Sequence, residues 1–204
     1  MTVIEKKGNL KNYYNDFLFL EATNTKETTK REYHGIIKVE SEKGKKTLIT
    51  TNGRSLHIIE YNDKSAPPLK NGYYSINKKT DTFIIDNHSL ETYPDYKAVI
   101  PAGNIKCIDD YLLTDDKKFD THTYNGLIYI LNYLGFKVNY KYIEPLRALN
   151  LKWDIYLKHG AKSVLLKSGD YTSVIYLMDT SEIDLIITRA IQKLNENNEV
   201  ANNE

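Results

Sequence analysis

The stretch Lys46-Thr47-Leu48-Ile49-Thr50-Thr51-Asn52-Gly53-Arg54-Ser55-Leu56-His57-Ile58-Ile59-Glu60-Tyr61 decides how this chain is read. Lys46 to Thr51 and Leu56 to Tyr61 are short segments of β type, and the Asn52-Gly53 pair between them is a strong hairpin signal because both residues accept positive φ. Upstream, Tyr33 to Glu40 makes a third strand across the Glu42-Lys43-Gly44 break. Before that, after the polar loop Thr23 to Lys30, Leu10 to Ala22 carries Leu10, Tyr13, Tyr14, Phe17, Leu18 and Leu20 at the spacing of a helix packed on one face. The first part of the chain is therefore a helix followed by a three-strand meander.

Downstream, Ser65-Ala66-Pro67-Pro68 interrupts the pattern, and Gly72 to Asn77 with Thr82 to Asp86 form a further hairpin. Pro94 and Pro101 mark extended connecting chain or strand edges. Ala102 to Thr123 is polar and irregular, with Asp109-Asp110 and Asp115-Asp116-Lys117-Lys118, and reads as a long loop or insertion. Tyr124 to Leu134 is a short apolar helix stopped by Gly135. Phe136 to Lys141 alternates, and Ile143 to Leu149 makes two helical turns with Pro145 near their start. Three strands follow, Lys152 to Leu157, Ser163 to Lys167 and Ser173 to Met178, joined at His159-Gly160 and Ser168-Gly169-Asp170. The second part thus repeats the first in architecture, and the fold class is α+β. Ser181 caps a last helix with Asp184 reaching back, and Ile183, Ile186, Ile187, Ala190, Ile191 and Leu194 make its apolar stripe.

Composition narrows the function classes. The chain has 204 residues, 41% hydrophobic and 27% charged, with net charge +1, which is ordinary for a globular protein. No apolar run approaches the ~20 residues that span a bilayer, and Met1 to Lys7 lacks a secretory signal, so the expectation is a cytoplasmic protein with no membrane partner. The single cysteine, Cys107, excludes an internal disulfide and a multi-cysteine zinc site. Seventeen tyrosines could be a base-stacking surface, but they sit at strand-like positions that favour aromatics in any case. Near-zero net charge argues against strong nonspecific DNA binding, so any DNA contact is local.

No catalytic constellation is legible. His34, His57, His88, His122 and His159 are each isolated, with no i, i+4 pair and no His-x-Glu arrangement. Phosphate-binding glycine loops and a Gly-x-Ser-x-Gly elbow are missing. Asp109-Asp110 and Asp115-Asp116 are what a Mg²⁺-dependent nuclease would use, and on a lysine-studded segment they read as solvated charge. The expectation is no enzyme, no cofactor and no metal site.

Arg31-Glu32-Tyr33-His34-Gly35-Ile36, Thr51-Asn52-Gly53-Arg54-Ser55-Leu56 and Tyr93-Pro94-Asp95-Tyr96-Lys97-Ala98-Val99-Ile100-Pro101 occur in that order. Lys162 to Lys167 and Thr172 to Met178 follow as closing strands, and Tyr142-Ile143-Glu144-Pro145-Leu146 precedes them. Together they resemble the bacterial DNA polymerase III β subunit, the sliding clamp. Its domains show an Arg-led strand, a Thr-Asp-Gly-His-Arg-Leu hairpin, a Phe-Pro-Asp-Tyr segment running to Leu-Pro, and a last strand ending in Met-Pro-Met. Asn52, Arg54, Ser55 and the Tyr176-Leu177-Met178-Asp179 ending depart from that pattern.

The resemblance implies a DNA-clamp-like domain over residues 1–180, made of two helix-plus-β-meander halves with an insertion at about 102–135; the C-terminal helix at 181–194 is an addition to it, and the Asn/Glu tail at 195–204 cannot bury enough to fold and reads as disordered. It implies a non-enzymatic replication accessory, or processivity, factor that binds a polymerase or repair protein by a short apolar motif. Leu56, Pro94, Val99, Val174 and Met178 then supply the apolar wall of a partner pocket, with Thr51, Gly53 and Arg54 at its mouth. Lys11, Lys141, Arg147 and Lys152 are the candidates that face double-stranded DNA, without sequence preference. The alternative keeps the fold and discards the ring: a protein-interaction module with the last helix as its association surface. One clamp-like domain cannot encircle DNA alone, so closure needs a homo-oligomer or other subunits.

Overall fold

The computed structural model describes residues 1–24, 31–100, 106–108, 111–114, 117–120, 124–133, 136–157 and 162–177, together with Thr188 and Gln192. They divide into two units: Met1–Lys97 with Gly169–Ser173, and Ala98–Ser168 with the chain from Val174 onward.

The first unit opens with β1, Thr2–Glu5, a strand the sequence pattern does not show. It exists because a distant partner supplies its hydrogen bonds: β6, Thr82–His88, runs antiparallel to it with Ile4 opposite Phe83, both fully buried. A 3-10 turn at Lys11–Tyr13 leads into α1, Tyr14–Glu21, the core of the predicted first helix. The meander follows as β2 (Ile36–Glu42), β3 (Lys45–Thr51) and β4 (Ser55–Asn62), then β5 (Gly72–Lys79) before β6. Their order is β1-β6-β5-β2-β3-β4, with every pairing antiparallel.

The turns differ from their sequence reading in an informative way. The two-residue loop with positive φ at both positions is Lys43-Gly44, at 53° and 79°, between the paired Glu42 and Lys45. That is the type I′ pattern. At Asn52-Gly53 only Gly53 is positive, at 77°, and Asn52 N–H donates to the Ser55 carbonyl at 3.2 Å. The loop is therefore Gly53-Arg54, with glycine first, the type II′ arrangement, one position along from the Asn-Gly reading.

Burial of α1 makes the core of this unit. Tyr14 and Phe17 lie against Phe83, with ring centroids 5.2 and 6.2 Å away. Phe19 stacks on His57 at 4.3 Å and 9°, and His57 Nδ1–H donates to the Phe19 carbonyl at 2.6 Å. His57 is fully buried and its Nε2 has no hydrogen-bond partner among the described residues. Burial is the cause that pulls its pKa down to about 4. Asp16 is also buried, accepting from Tyr61 at 2.6 Å and from Tyr171 at 2.8 Å. Burial raises its carboxyl above the usual value, and the two phenol bonds only partly offset this. Tyr171 reaches it because Gly169–Ser173 belongs to this unit, where Glu60 N–H donates to the Asp170 carbonyl at 3.0 Å.

The second unit corrects the reading of Ala102 to Thr123 as irregular loop. It holds β7 (Lys106–Ile108), β8 (Tyr111–Thr114) and β9 (Lys117–Asp120). β8 and β9 pair from Tyr111↔Asp120 to Thr114↔Lys117, so the acidic pair Asp115-Asp116 that looked like a loop marker lies between the ends of a hairpin. β7 pairs antiparallel with β10, Asp154–Leu157, which also pairs with β11, Ser163–Ser168. The sheet order is β12-β11-β10-β7, where β12 is Tyr171–Tyr176 and contributes its second half.

Helix α2, Tyr124–Tyr133, buries Leu127, Ile130 and Leu131 at i, i+3, i+4 spacing. Phe136 N–H donates to the Leu131 carbonyl at 2.9 Å, the six-to-one bond of a Schellman helix end, where the sequence expects Gly135 to stop the helix. The predicted alternation after it is brief: Phe136 and Val138 are buried, Val138 bridges Leu177, and α3 (Tyr140–Ile143) starts at once. The turns expected at Ile143 to Leu149 are a 3-10 helix, Glu144–Ala148, with Pro145 in its first positions. Thr188 and Gln192 are helical; the rest of 181–194, Met178, Gly135, the His159-Gly160 turn and the 195–204 tail lie outside the described residues. No helix among the described residues is long and apolar enough to cross a membrane.

Candidate functional site

The β3–β4 hairpin tip is held by its own side chains. Thr51 Oγ1–H donates to the Ser55 carbonyl at 2.8 Å and accepts from Gly53 N–H at 3.1 Å. Asn52 Oδ1 accepts from Arg54 N–H at 2.9 Å, Ser55 N–H at 2.8 Å and Ser55 Oγ at 3.3 Å. One side-chain oxygen thus does the work of a backbone ladder at the turn, leaving Gly53 and Arg54 exposed on a fixed loop.

Beside the tip stands the turn Arg31 to Gly35. Arg31 N–H donates to His34 Nδ1 at 3.3 Å, which puts the proton of the neutral ring on Nε2. Gly35 has φ 72°, and a Cβ there would come within 2.6 Å of the Asn24 side chain, so the turn requires glycine. Tyr33 meets His34 edge-on at 4.9 Å, and its hydroxyl accepts from Arg31 Nη1 at 3.2 Å. A Cβ built on Gly53 would lie 3.8 Å from His34 Nε2 and 3.9 Å from the Tyr33 hydroxyl, so the three groups line one spot.

The segment from Tyr93 to Lys97 closes the other side. Tyr93 lies 6.2 Å from the Tyr33 ring and stacks on Tyr73 at 5.8 Å and 14°. Its hydroxyl is shared between the Ile36 and Ile49 carbonyls at 3.3 and 3.2 Å. Lys38 Nζ sits 5.9 Å from the Tyr93 ring centre and 5.2 Å from that of Tyr96, and makes a 2.8 Å ion pair with Glu40. Tyr96 O–H donates to the same Glu40 carboxylate. Burial would raise the Glu40 carboxyl; the bonds from Lys38 and Tyr96 outweigh it and hold the group below its usual value. Next to these residues a cleft of about 730 Å³ is lined by Arg31, His34, Ile36, Ser75, His88 and Glu91 among others.

The structure places the expected pocket residues unevenly. Thr51, Gly53, Arg54 and Leu56 share the hairpin, and Pro94 follows Tyr93 in the same unit. Leu56 is 2% exposed and belongs to the core of the sheet. Val99, 36% exposed, and Val174, 0% exposed, belong to the second unit, and Met178 lies outside the described residues. Tyr33, His34, Tyr73, Tyr93 and the Lys38–Glu40–Tyr96 group are missed as side chains by the sequence reading. The motifs containing Tyr33 and Tyr93 are visible in it, but nothing local says that their rings meet.

Of the cationic candidates, Lys11 is exposed in the turn before α1, in the first unit; Lys141 on α3 and Arg147 in the following 3-10 helix are exposed in the second. Lys152 is half-buried. Among the described residues no group of three or more His, Cys, Asp or Glu could hold a metal ion, and Asp109-Asp110 and Asp115-Asp116 are not among them.

No family model matches the sequence, and no curated protein matches it. Solved structures do. The chain is similar to the DNA polymerase III β chain of Streptococcus pneumoniae, with TM-score 0.54 and 10% identity over 88% of this chain and 64% of that one. It is similar to the Helicobacter pylori β clamp bound to a DNA ligase peptide, with TM-score 0.52 and 10% identity over 82% and 63%. A third, DNA polymerase III subunit β of Borrelia burgdorferi in complex with a natural product, gives TM-score 0.50 and 12% identity over 89% and 65%. The chain therefore spans just under two thirds of the length of these clamps. At such identities the likeness is one of architecture: this is an α+β chain with the fold of the bacterial sliding clamps.

Proposed function

We propose that the chain is a sliding-clamp-like accessory factor of DNA replication, which captures a polymerase or repair protein by a short apolar motif at the face built from the Thr51–Leu56 hairpin, Tyr33 and Tyr93-Pro94. One observation carries the reading: two tyrosine rings and a glycine-tipped, side-chain-locked hairpin line one spot, in a fold for which the H. pylori clamp is solved with a DNA ligase peptide. A rigid aromatic wall beside exposed turn groups suits an apolar anchor with a few directional polar contacts. Thr51, Gly53, Arg54 and Pro94 are its contact residues, and the buried Leu56 supports the hairpin from the core of the sheet. The role is non-enzymatic and cytoplasmic. Lys11, Lys141, Arg147 and Lys152 give sequence-independent phosphate contacts, and the ring is completed by further copies or subunits.

The test is a titration with a fluorescent peptide carrying a clamp-binding motif. Saturable binding is expected, weakened about tenfold in Tyr33→Ala through loss of one aromatic contact. No binding up to roughly 50 µM, the range of a weak anchor, removes the docking reading. Leu56→Asp is unsuitable, because it places a charge in the core.

The second reading, a clamp-fold interaction module that never surrounds DNA, is favoured by the net charge of +1. Duplex affinity measured against salt separates the two. A falling affinity with added salt supports phosphate contact, and none at low salt leaves the module. Plasmid left intact with Mg²⁺ or Mn²⁺ closes the nuclease alternative.

A further inference from the structure

Two residues of β2 that the docking reading does not use hold the segment on which it depends. Lys38 and Glu40 are two apart on one strand, so their side chains share a face of the sheet. That face carries no connection along the chain to Tyr93–Tyr96, more than fifty positions on, yet three separate interactions join them. The Lys38 ammonium lies under the Tyr93 and Tyr96 rings at 5.9 and 5.2 Å, Tyr96 O–H donates to Glu40, and Lys38 closes the triangle with Glu40 at 2.8 Å. Lys97 Nζ stands 5.8 Å from the Tyr96 ring centre, a second cation on the same ring. Tyr93 adds its shared hydroxyl bond to Ile36 and Ile49. Pro94 sits between the two tethered tyrosines. An ordinary connecting segment would be free to swing; this one is pinned on both sides of its proline.

We propose that Lys38 and Glu40 are positioning residues of the partner-docking site: they fix Tyr93–Tyr96 against β2 so that the Tyr93 ring and Pro94 meet an incoming peptide as a rigid wall. The proposal rests on the docking reading given above. Both side chains are only about one-quarter to one-third exposed, at 26% and 32%, so the pair is shielded from full solvent screening. A wall already ordered before binding spares the partner the ordering cost of the loop, which is where affinity is gained.

Two variants test it in the full chain: Glu40→Gln, which keeps the shape and removes the charge, and Tyr96→Phe. Lys45→Met, which breaks the exposed Lys45–Glu60 pair on the neighbouring strand, is the control. Amide hydrogen exchange is followed at Tyr96 and Lys97 alongside peptide affinity and thermal midpoint. Glu40→Gln and Tyr96→Phe are expected to speed exchange at those amides about tenfold, the effect of losing one charge-assisted hydrogen bond, and to weaken the peptide by a similar factor. Exchange in the β3–β4 hairpin and the control stays as in the parent.

Unchanged exchange at Tyr96 and Lys97 in both variants overturns the tether. Faster exchange everywhere, with a lowered midpoint, means the residues are merely structural and also overturns it. Faster local exchange with unchanged peptide affinity shows a tether that does not serve the site, and the proposal falls on that arm. If the parent chain binds no peptide, the docking reading fails instead, and the exchange data show that separately.

Discussion

The hydroxyl of Tyr171 donates to Oδ1 of Asp16 at 2.8 Å, joining residues 155 positions apart in the chain. Tyr61 takes the other carboxylate oxygen, so one buried acid binds α1, β4 and the start of β12. Tyr171→Phe removes one of two charge-assisted bonds and is expected to lower stability by about 1.5–3 kcal/mol at neutral pH, measured by urea denaturation.

The same carboxyl gives a pH dependence of definite sign. Its folded pKa lies above the usual 3.8, chiefly through burial. Such a group contributes most below its unfolded pKa, and the contribution is lost as pH rises through the raised folded value. The stability of the parent relative to Asp16→Asn therefore falls from pH 4 upward, and denaturation of the two proteins across pH 4 to 7 should show the curves converging or crossing. A parallel pair of curves would contradict a raised pKa.

His57 acts in the opposite direction. Its folded pKa is about 4 against an ordinary 6.5, so stability is complete above pH 6.5 and is lost as the pH falls toward 4. The full effect is about 3 kcal/mol, from 1.36 kcal/mol per pKa unit. His57→Phe keeps the stacking on Phe19 but removes the Nδ1–H bond to its carbonyl, costing about 0.5–1.5 kcal/mol at pH 7. The acid slope between pH 6.5 and 4 should shrink in the variant, which equilibrium unfolding at several pH values would show.

At the hairpin, Gly53→Ala meets only ordinary contacts at 3.8 and 3.9 Å, so its cost is backbone strain at φ 77° and not collision. A loss of about 1–2 kcal/mol is expected. Lys43 is the converse, a lysine at φ 53° whose ion pair to Glu42 is largely exposed, 3.4 Å apart. Lys43→Asn should stabilise by about 0.5–1 kcal/mol, because Asn-Gly suits a type I′ loop and the exposed pair is worth little. Thermal midpoints of the two variants should move apart.

Asn52 offers a finer test. Its Oδ1 accepts three bonds while its buried Nδ2 has no partner among the described residues. Asn52→Asp keeps the acceptor and removes the orphaned donor, so at pH 7 stability should stay within about 1 kcal/mol of the parent despite a buried charge. Asn52→Ala, which strands the Arg54 and Ser55 amides, should cost about 1–3 kcal/mol.

These residues also show what a sequence reveals and what it withholds. The meander was legible because Leu48, Ile49, Leu56, Ile58 and Ile59 are dense in strand formers and bounded by turn residues. β1 was not, since Thr2–Glu5 is a strand only through Phe83 and its neighbours, about eighty residues later. β8 and β9 were hidden because charge at Asp115–Lys118 imitates a loop, although Lys117 and Lys118 are strand residues paired with Thr114 and Leu113. The turn register slipped by one because Asn52 serves through its side chain instead of its φ. At the site, the hairpin and the Pro94 segment could be named from motifs. Tyr33, Tyr93 and the Lys38–Glu40 pair could not, because rings and charges meet there only after β2, β3 and the connecting chain have assembled.

The claim of the first unit on Gly169–Ser173 has a consequence in time. During synthesis the ribosome releases α1 and the six strands β1 to β6 long before Tyr171 exists, and Asp16 must wait with one phenol of its two. The unit that begins first is thus among the last to finish, and its completion is a long-range closure of the slow kind. A fragment cut after Lys97 would be caught permanently at that waiting stage, with an under-bonded acid in its core.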